Sequence, residues 1–351
     1  MIDYILVGSY SNDITTLAFD SITETLQVVS SLTVGHHPSW ITSHDAHPSL
    51  VWTGLEQSEG KILALSHDKQ GNCKVVSETS SAGSDPCFIW AAKHELIIAN
   101  YSSGTIGILP ISSDTPRFIT RAESIQLHGS GPDRSRQQSS HPHQAVVHEE
   151  YQELLVPDLG SDSVLRLKKN DVGSWQLVGH VGFQPGGGPR HVAFHDGYLF
   201  TILELTSKVV RHRFPPLPAL PTFVRSMPTM SNPPPAPTDQ LAAGILIPPP
   251  NSSFPTPYLY LSNRNDPSPE GDIISIFSIQ NPDSLELIAE IRTGLKHLRG
   301  MRFGGPDDKY LIAGGAFGGG VKVFERIEVG KSLRLIATND SIEAPTDFLW
   351  L

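Results

Sequence analysis

A short apolar run opened by proline, or by a near-equivalent, recurs seven times along this chain, and such a recurrence constrains the architecture more than any single residue does. The copies start at Pro38 (PSWITSHD), Pro86 (PCFIWAAK), Pro142 (PHQAVVHE), Pro189 (PRHVAFHD), near Gln240 (QLAAGILI), at Leu298 (LRGMRFGG) and at Pro345 (PTDFLWL). Several neighbouring starts stand about 40 to 50 residues apart, the length of a four-stranded propeller blade. After each start comes a turn and a second β-rich run: LVWTGLE, LIIANYSSG, LLVPDLGSD, YLFTILELTS, YLYLSNRND and YLIAGGAFG. A third run follows (TIGILPI, SVLRLKK, KVVRHRF, IISIFSI, VKVFERI), and then a more variable outer strand.

The seventh copy ends with the chain before its second strand, whereas the N-terminal DYILVGSYSNDITTLAF reads as second and third strands lacking a first. The two ends therefore complete one blade and remove the edges that a linear array would leave. The expectation is an all-β, seven-bladed propeller of four-stranded antiparallel blades, formed as a single domain over residues 1–351. Proline-rich insertions around 214–257 are expected to run as extended, partly polyproline II surface segments between its strands. A second irregular stretch, 128–143 (HGSGPDRSRQQSSHPH), precedes the third full repeat.

Composition agrees with this and narrows the function. Thirty glycines and 29 prolines in 351 residues, with 18% charged residues, exclude a coiled coil or helical bundle. A net charge of −10 argues against nucleic acid as a partner. There is no apolar run of about 18 residues and no basic, apolar leader, so no membrane association is expected and a cytoplasmic location is. Cys73 and Cys87 fit neither a zinc spacing nor a disulfide framework.

Inner strands of a propeller line a central channel, so polar residues at one repeat position converge at one mouth. The residue after the opening of the repeat is Ser39, Cys87, His143, Arg190, Arg299 or Thr346. The far end of the second strand supplies Glu56, Asn100, Asp158, Glu204 and Arg264. His143, Arg190, His191, Arg264 and Arg299 thus gather around Glu204 in an acidic protein, which predicts an anionic ligand. Guanidinium forks bind carboxylate or phosphate and steady an oxyanion, and a carboxylate among them fits proton transfer. Cations would lower the pKa of Glu204 and burial would raise it, so Glu204 and His143 both stay open as the base.

Arg190 and Arg299 also fit a purely structural part in bonding the loops between blades. The pair His141 and His143 lacks a third residue at metal-ligand spacing, so no metal is expected. Gly330-Lys331-Ser332 has Glu325 where a phosphate loop needs its first glycine, and neither GxSxG nor HExxH occurs.

At these residues the sequence resembles the seven-bladed propeller lactonases. That family includes one type of 6-phosphogluconolactonase and the fungal 3-carboxy-cis,cis-muconate lactonizing enzyme. The resemblance is carried by 140–162 (SHPHQAVVHEEYQELLVPDLGSD), 186–205 (GGGPRHVAFHDGYLFTILEL), 258–266 (YLYLSNRND) and 298–315 (LRGMRFGGPDDKYLIAGG). It implies catalytic roles for His143, Glu204, Arg190 and Arg264 and no cofactor; substrate binding is expected of His191, Arg299 and, from their repeat position, Asn100 and Asp158. The surroundings resemble the phosphogluconolactonase branch more, although Leu298 stands where that branch often has proline. The implied activity is cofactor-free hydrolysis of an anionic sugar lactone, above all 6-phosphogluconolactone. The alternatives are lactonization of a carboxymuconate-like diacid and a non-catalytic binding propeller. A closed ring offers no edge to pair, so a monomer is expected.

Overall fold

The computed structural model describes residues 2–44, 47–112, 118, 122–235 and 238–351. Within these, the strands form seven antiparallel sheets of four strands each. The first blade joins the chain's two ends: Pro345–Trp350 is its inner strand, paired with Ile2–Ser9, which pairs with Asp13–Asp20 and then Thr25–Thr33. In the second blade the inner strand Pro38–Ser43 is followed by Leu50–Leu55, Lys61–His67 and Cys73–Ser80. The remaining inner strands begin at Pro86, Val146, Pro189, Leu241 and Lys296, with Pro142 bridged to Asp158 just ahead of the fourth blade's inner strand. The seven repeat starts of the sequence are therefore the entries to the inner strands.

The core lies between blades. Ile5, Val7, Leu17 and Phe19 of the first blade pack against Tyr310, Ile312, Val321 and Val323 of the seventh, and each sheet buries its faces against its neighbours in this way. Second strands such as Leu50–Leu55 and Tyr258–Arg264 are buried along their whole length, so they read as continuous apolar runs rather than alternating ones. Outer strands such as Thr25–Thr33 are largely exposed.

One irregularity recurs where the inner strands begin. The register shifts between Pro38 and Trp40, Pro86 and Phe88, Pro189 and His191, and Leu298 and Gly300; opposite Gly8 and Ser9 it skips Thr346. Ser39, Cys87, Arg190, Arg299 and Thr346 are thus unpaired bulge residues, the device by which a strand re-aims one side chain. The bulges explain why these positions, in five different blades, point to a common place.

The proline-rich stretch is built into the ring. It supplies the fifth blade's outer strand Thr222–Pro228, the sixth blade's inner strand Leu241–Leu246, and the connection to Tyr258–Arg264. Its first part is tied down by a fully buried ion pair, Arg166–Glu153 at 2.6 Å. Arg166 donates to the carbonyls of Pro215 and Ala219, and Glu153 accepts from the Leu217 amide.

Candidate active site

The chain turns into the fifth blade through Gly186-Gly187-Gly188. Asp162 accepts hydrogen bonds from the amides of Gly186 and Gly188, and Gly188 takes φ +65°, where a side chain would also meet Leu205. That turn delivers Arg190 at the bulge, and the Glu204 amide donates to the Gly188 carbonyl. The Glu204 carboxylate, 2% exposed, then lies 2.8 Å from Arg190 Nε, 2.8 Å from Arg264 Nη2 and 2.5 Å from Arg136 Nη2. Arg190 and Arg264 are further fixed by donating to the carbonyls of Ala243 and Ala242 in the sixth blade's inner strand. The structural part open to Arg190 is therefore filled, but together with contact to the carboxylate.

Burial alone would push the Glu204 carboxyl up, but Arg264, Arg190 and Arg136 together hold it well below the usual carboxylate range. Three guanidiniums around one carboxylate leave a surplus of two positive charges. Arg136 and Arg264 both line a cavity of about 360 Å³ with Tyr10, Glu56, Tyr101, His143 and Arg299.

His143 is buried with its Nδ1 3.9 Å from Cys87 Sγ and its ring 5.2 Å from that of His191. Burial and the nearby Arg190 hold its pKa well below that of a free histidine, so the ring is neutral at physiological pH. Cys87 is likewise buried, which pushes its thiol up and leaves it protonated. Arg299 lies over the Tyr10 ring at 4.9 Å and 3.9 Å from Glu56. It also lines a second cavity of about 390 Å³ with Trp40, Phe88 and His191. His191 therefore faces that second cavity, edge-on to Trp40 and Phe88, with Nε2 lacking a partner among the described residues. His141, the other half of the HxH pair, is bonded through Nδ1 to the Tyr101 carbonyl and stacks on the Tyr101 ring.

Two expected binding residues are not brought to the cavity. Asn100 donates from Nδ2 to the Thr105 hydroxyl in its own blade and to the Ser81 carbonyl in the connection from the second blade. Asp158 accepts from the Ser140 and Ser161 hydroxyls and from the amides of His141 and Gly160. The reason is register. Pro38 pairs with Leu55, Pro86 with Asn100, Pro142 with Asp158, Pro189 with Leu203 and Pro345 with Ser9. The residues matching Glu56 and Glu204 are therefore Tyr101, Leu159 and Tyr10, one place further on. A shift of one residue in a strand turns the side chain to the other face. Pairing each second strand against its own proline would have found Tyr10 and Tyr101; nothing periodic marks Arg136, which sits in the irregular 128–143 segment.

The chain matches, over residues 4–350, the family described as lactonase, 7-bladed beta-propeller. It belongs to the seven-bladed propeller lactonases. Among curated members, a 6-phosphogluconolactonase of Bacillus subtilis is 25% identical over 88% of this chain and 86% of its own length. A 6-phosphogluconolactonase of Formosa agariphila is 29% identical over 80% of this chain and 78% of its own. A crystal structure of a putative 6-phosphogluconolactonase from Bacteroides uniformis superposes on this lactonase with a TM-score of 0.86, covering 100% of this chain and 99% of that one at 24% identity. The periplasmic gluconolactonase of Pseudomonas aeruginosa gives 0.82, with the same coverage at 19% identity. No helix among the described residues of this lactonase is long and apolar enough to cross a membrane.

Proposed function

We propose that this protein hydrolyses 6-phosphogluconolactone to 6-phosphogluconate. The observation that carries the reading is the cluster of three guanidiniums on one buried carboxylate, whose two surplus charges open onto the cavity shared with His143. The activity named for the Bacillus subtilis and Formosa agariphila relatives agrees with it.

Arg264 and Arg136, from different segments of the chain, present guanidiniums to one substrate. They engage the phosphate and the oxyanion that forms when water adds to the ring carbonyl. Arg190 is tied to them through Glu204, and Arg299 lines the same cavity. Of the two groups that sequence left open as base, Glu204 has both carboxylate oxygens engaged by guanidiniums, whereas the His143 ring lines the cavity. The neutral imidazole of His143 takes the proton of the attacking water. No step needs a cofactor. A monomeric, cytoplasmic enzyme is the accompanying reading, supported by two free cysteines and a closed ring.

The deciding experiment follows acid release from freshly generated 6-phosphoglucono-δ-lactone with the spontaneous rate subtracted, beside unphosphorylated gluconolactone. Acceleration of the phosphorylated lactone is expected, with Arg264→Ala losing on the order of 10²-fold in kcat/KM. No acceleration, or equal turnover of both lactones, refutes the reading.

A further inference from the structure

Resting on that lactonase reading, we propose that Glu56 is the general acid of the reaction, protonating the ring oxygen as the lactone opens. Glu56 occupies in the second blade the strand-end position that Glu204 occupies in the fifth, and it lines the same cavity as His143, Arg136 and Arg264. Its surroundings are different in kind. Its Oε1 accepts a hydrogen bond from the hydroxyl of the bulge residue Ser39, and its ion-pair partner among the described residues, Arg299, stands off at 3.9 Å. The other ionisable groups facing it are Asp85, Arg190, Tyr10 and Cys87.

Burial foremost, with Asp85 adding to it, pushes the Glu56 carboxyl above the ordinary value, against the pull of Arg299 and the Ser39 hydroxyl. A carboxyl raised in this way holds its proton to higher pH than an ordinary one, whereas one clamped by three guanidiniums loses it more readily. Its side chain is 14% exposed against 2% for Glu204, so it is open to proton exchange through the cavity.

The steps balance without a co-reactant. Water forms a bond to the carbonyl carbon as its proton passes to His143, and the carbonyl electron pair moves onto oxygen beside the guanidiniums. On collapse that pair restores C=O, the bond from carbon to ring oxygen breaks, and the ring oxygen takes the proton of Glu56. The new carboxylic acid and the His143 imidazolium each release a proton, and Glu56 regains one. The sum is lactone plus water giving hydroxycarboxylate plus one proton.

The test measures kcat and KM from pH 5 to 9 for the full chain and for Glu56→Gln, Glu56→Asp and Ser39→Ala. Expected is a loss of about 10² to 10³ in kcat for Glu56→Gln with KM within a few-fold, partial recovery with Asp, and disappearance of the alkaline descent of kcat. Ser39→Ala removes a hydrogen bond that favours the ionised carboxyl. It is expected to move that descent to higher pH. The assignment falls if Glu56→Gln keeps kcat within about threefold, if it acts through KM alone, or if the Ser39→Ala profile is unmoved. An inactive wild-type protein would instead remove the lactonase reading, which separates the two failures.

Discussion

Glu56 and Glu204 stand at the same strand position in two blades of one ring and meet opposite environments. Glu204 is enclosed by Arg136, Arg190 and Arg264, one of them delivered by the irregular 128–143 segment. Glu56 accepts from a serine hydroxyl and has its ion-pair partner among the described residues, Arg299, at 3.9 Å, with Asp85 raising its carboxyl further. Repetition supplied the two carboxylates, and what lies in neighbouring blades drove their pKa values apart. Two carboxyls separated in this way divide their duties: one holds cations in place, the other is free to exchange a proton.

The comparison breaks most visibly at Glu204. Glu204→Gln leaves three buried or half-buried guanidiniums uncompensated and is expected to cost about 3–5 kcal/mol in denaturant unfolding, with loss of turnover. Glu56→Gln, in the same experiment, is expected to be neutral or mildly stabilising at pH 8. The pH dependences differ in sign. The Glu204 carboxyl is depressed on folding, so its contribution is present above its unfolded pKa of about 4.3 and fades as pH falls through the lower folded value. The Glu56 carboxyl is raised, so its contribution is present below about 4.3 and fades as pH rises through the higher folded value. Parallel stability profiles for the two Gln variants would contradict the contrast.

A smaller effect sharpens it at the rim. The Arg136 side chain is 34% exposed, so Arg136→Ala is expected to raise KM for the phosphorylated lactone by about tenfold, roughly 1.4 kcal/mol, and less in high salt. The smallest kinetic effect belongs to a residue one register step away. Asn100→Ala should lose about 1–3 kcal/mol of stability, from its bonds to Ser81 and Thr105, with kcat and KM unchanged. A large kinetic defect there would place the cavity wall differently.

The ring was legible because its signal is periodic: seven recurring apolar runs, five of them led by proline, mark seven inner strands, and even the blade shared by the termini follows from a missing first strand. The residues after the repeat openings were legible for the same reason: Cys87, Arg190 and Arg299 at bulges, and His143 at the corresponding place of the fourth blade. Asn100 and Asp158 misled because a sequence stack tolerates a slip of one position that hydrogen-bonded pairing does not. Arg136 lay outside any period, in a turn held by Asp133 and Gln137. Which carboxylate is clamped and which is free depends on distances between blades, and these have no trace in the order of residues along one of them.

The strand that closes the ring also reaches the cavity wall: the Thr346 hydroxyl donates to the Ser39 carbonyl, and the Asp347 carboxylate accepts from the Ile41 amide. Until Pro345–Trp350 pairs with Ile2–Ser9, the surroundings of Ser39 and Glu56 are incomplete, so six finished blades do not yet make a competent pocket and its assembly is all-or-none.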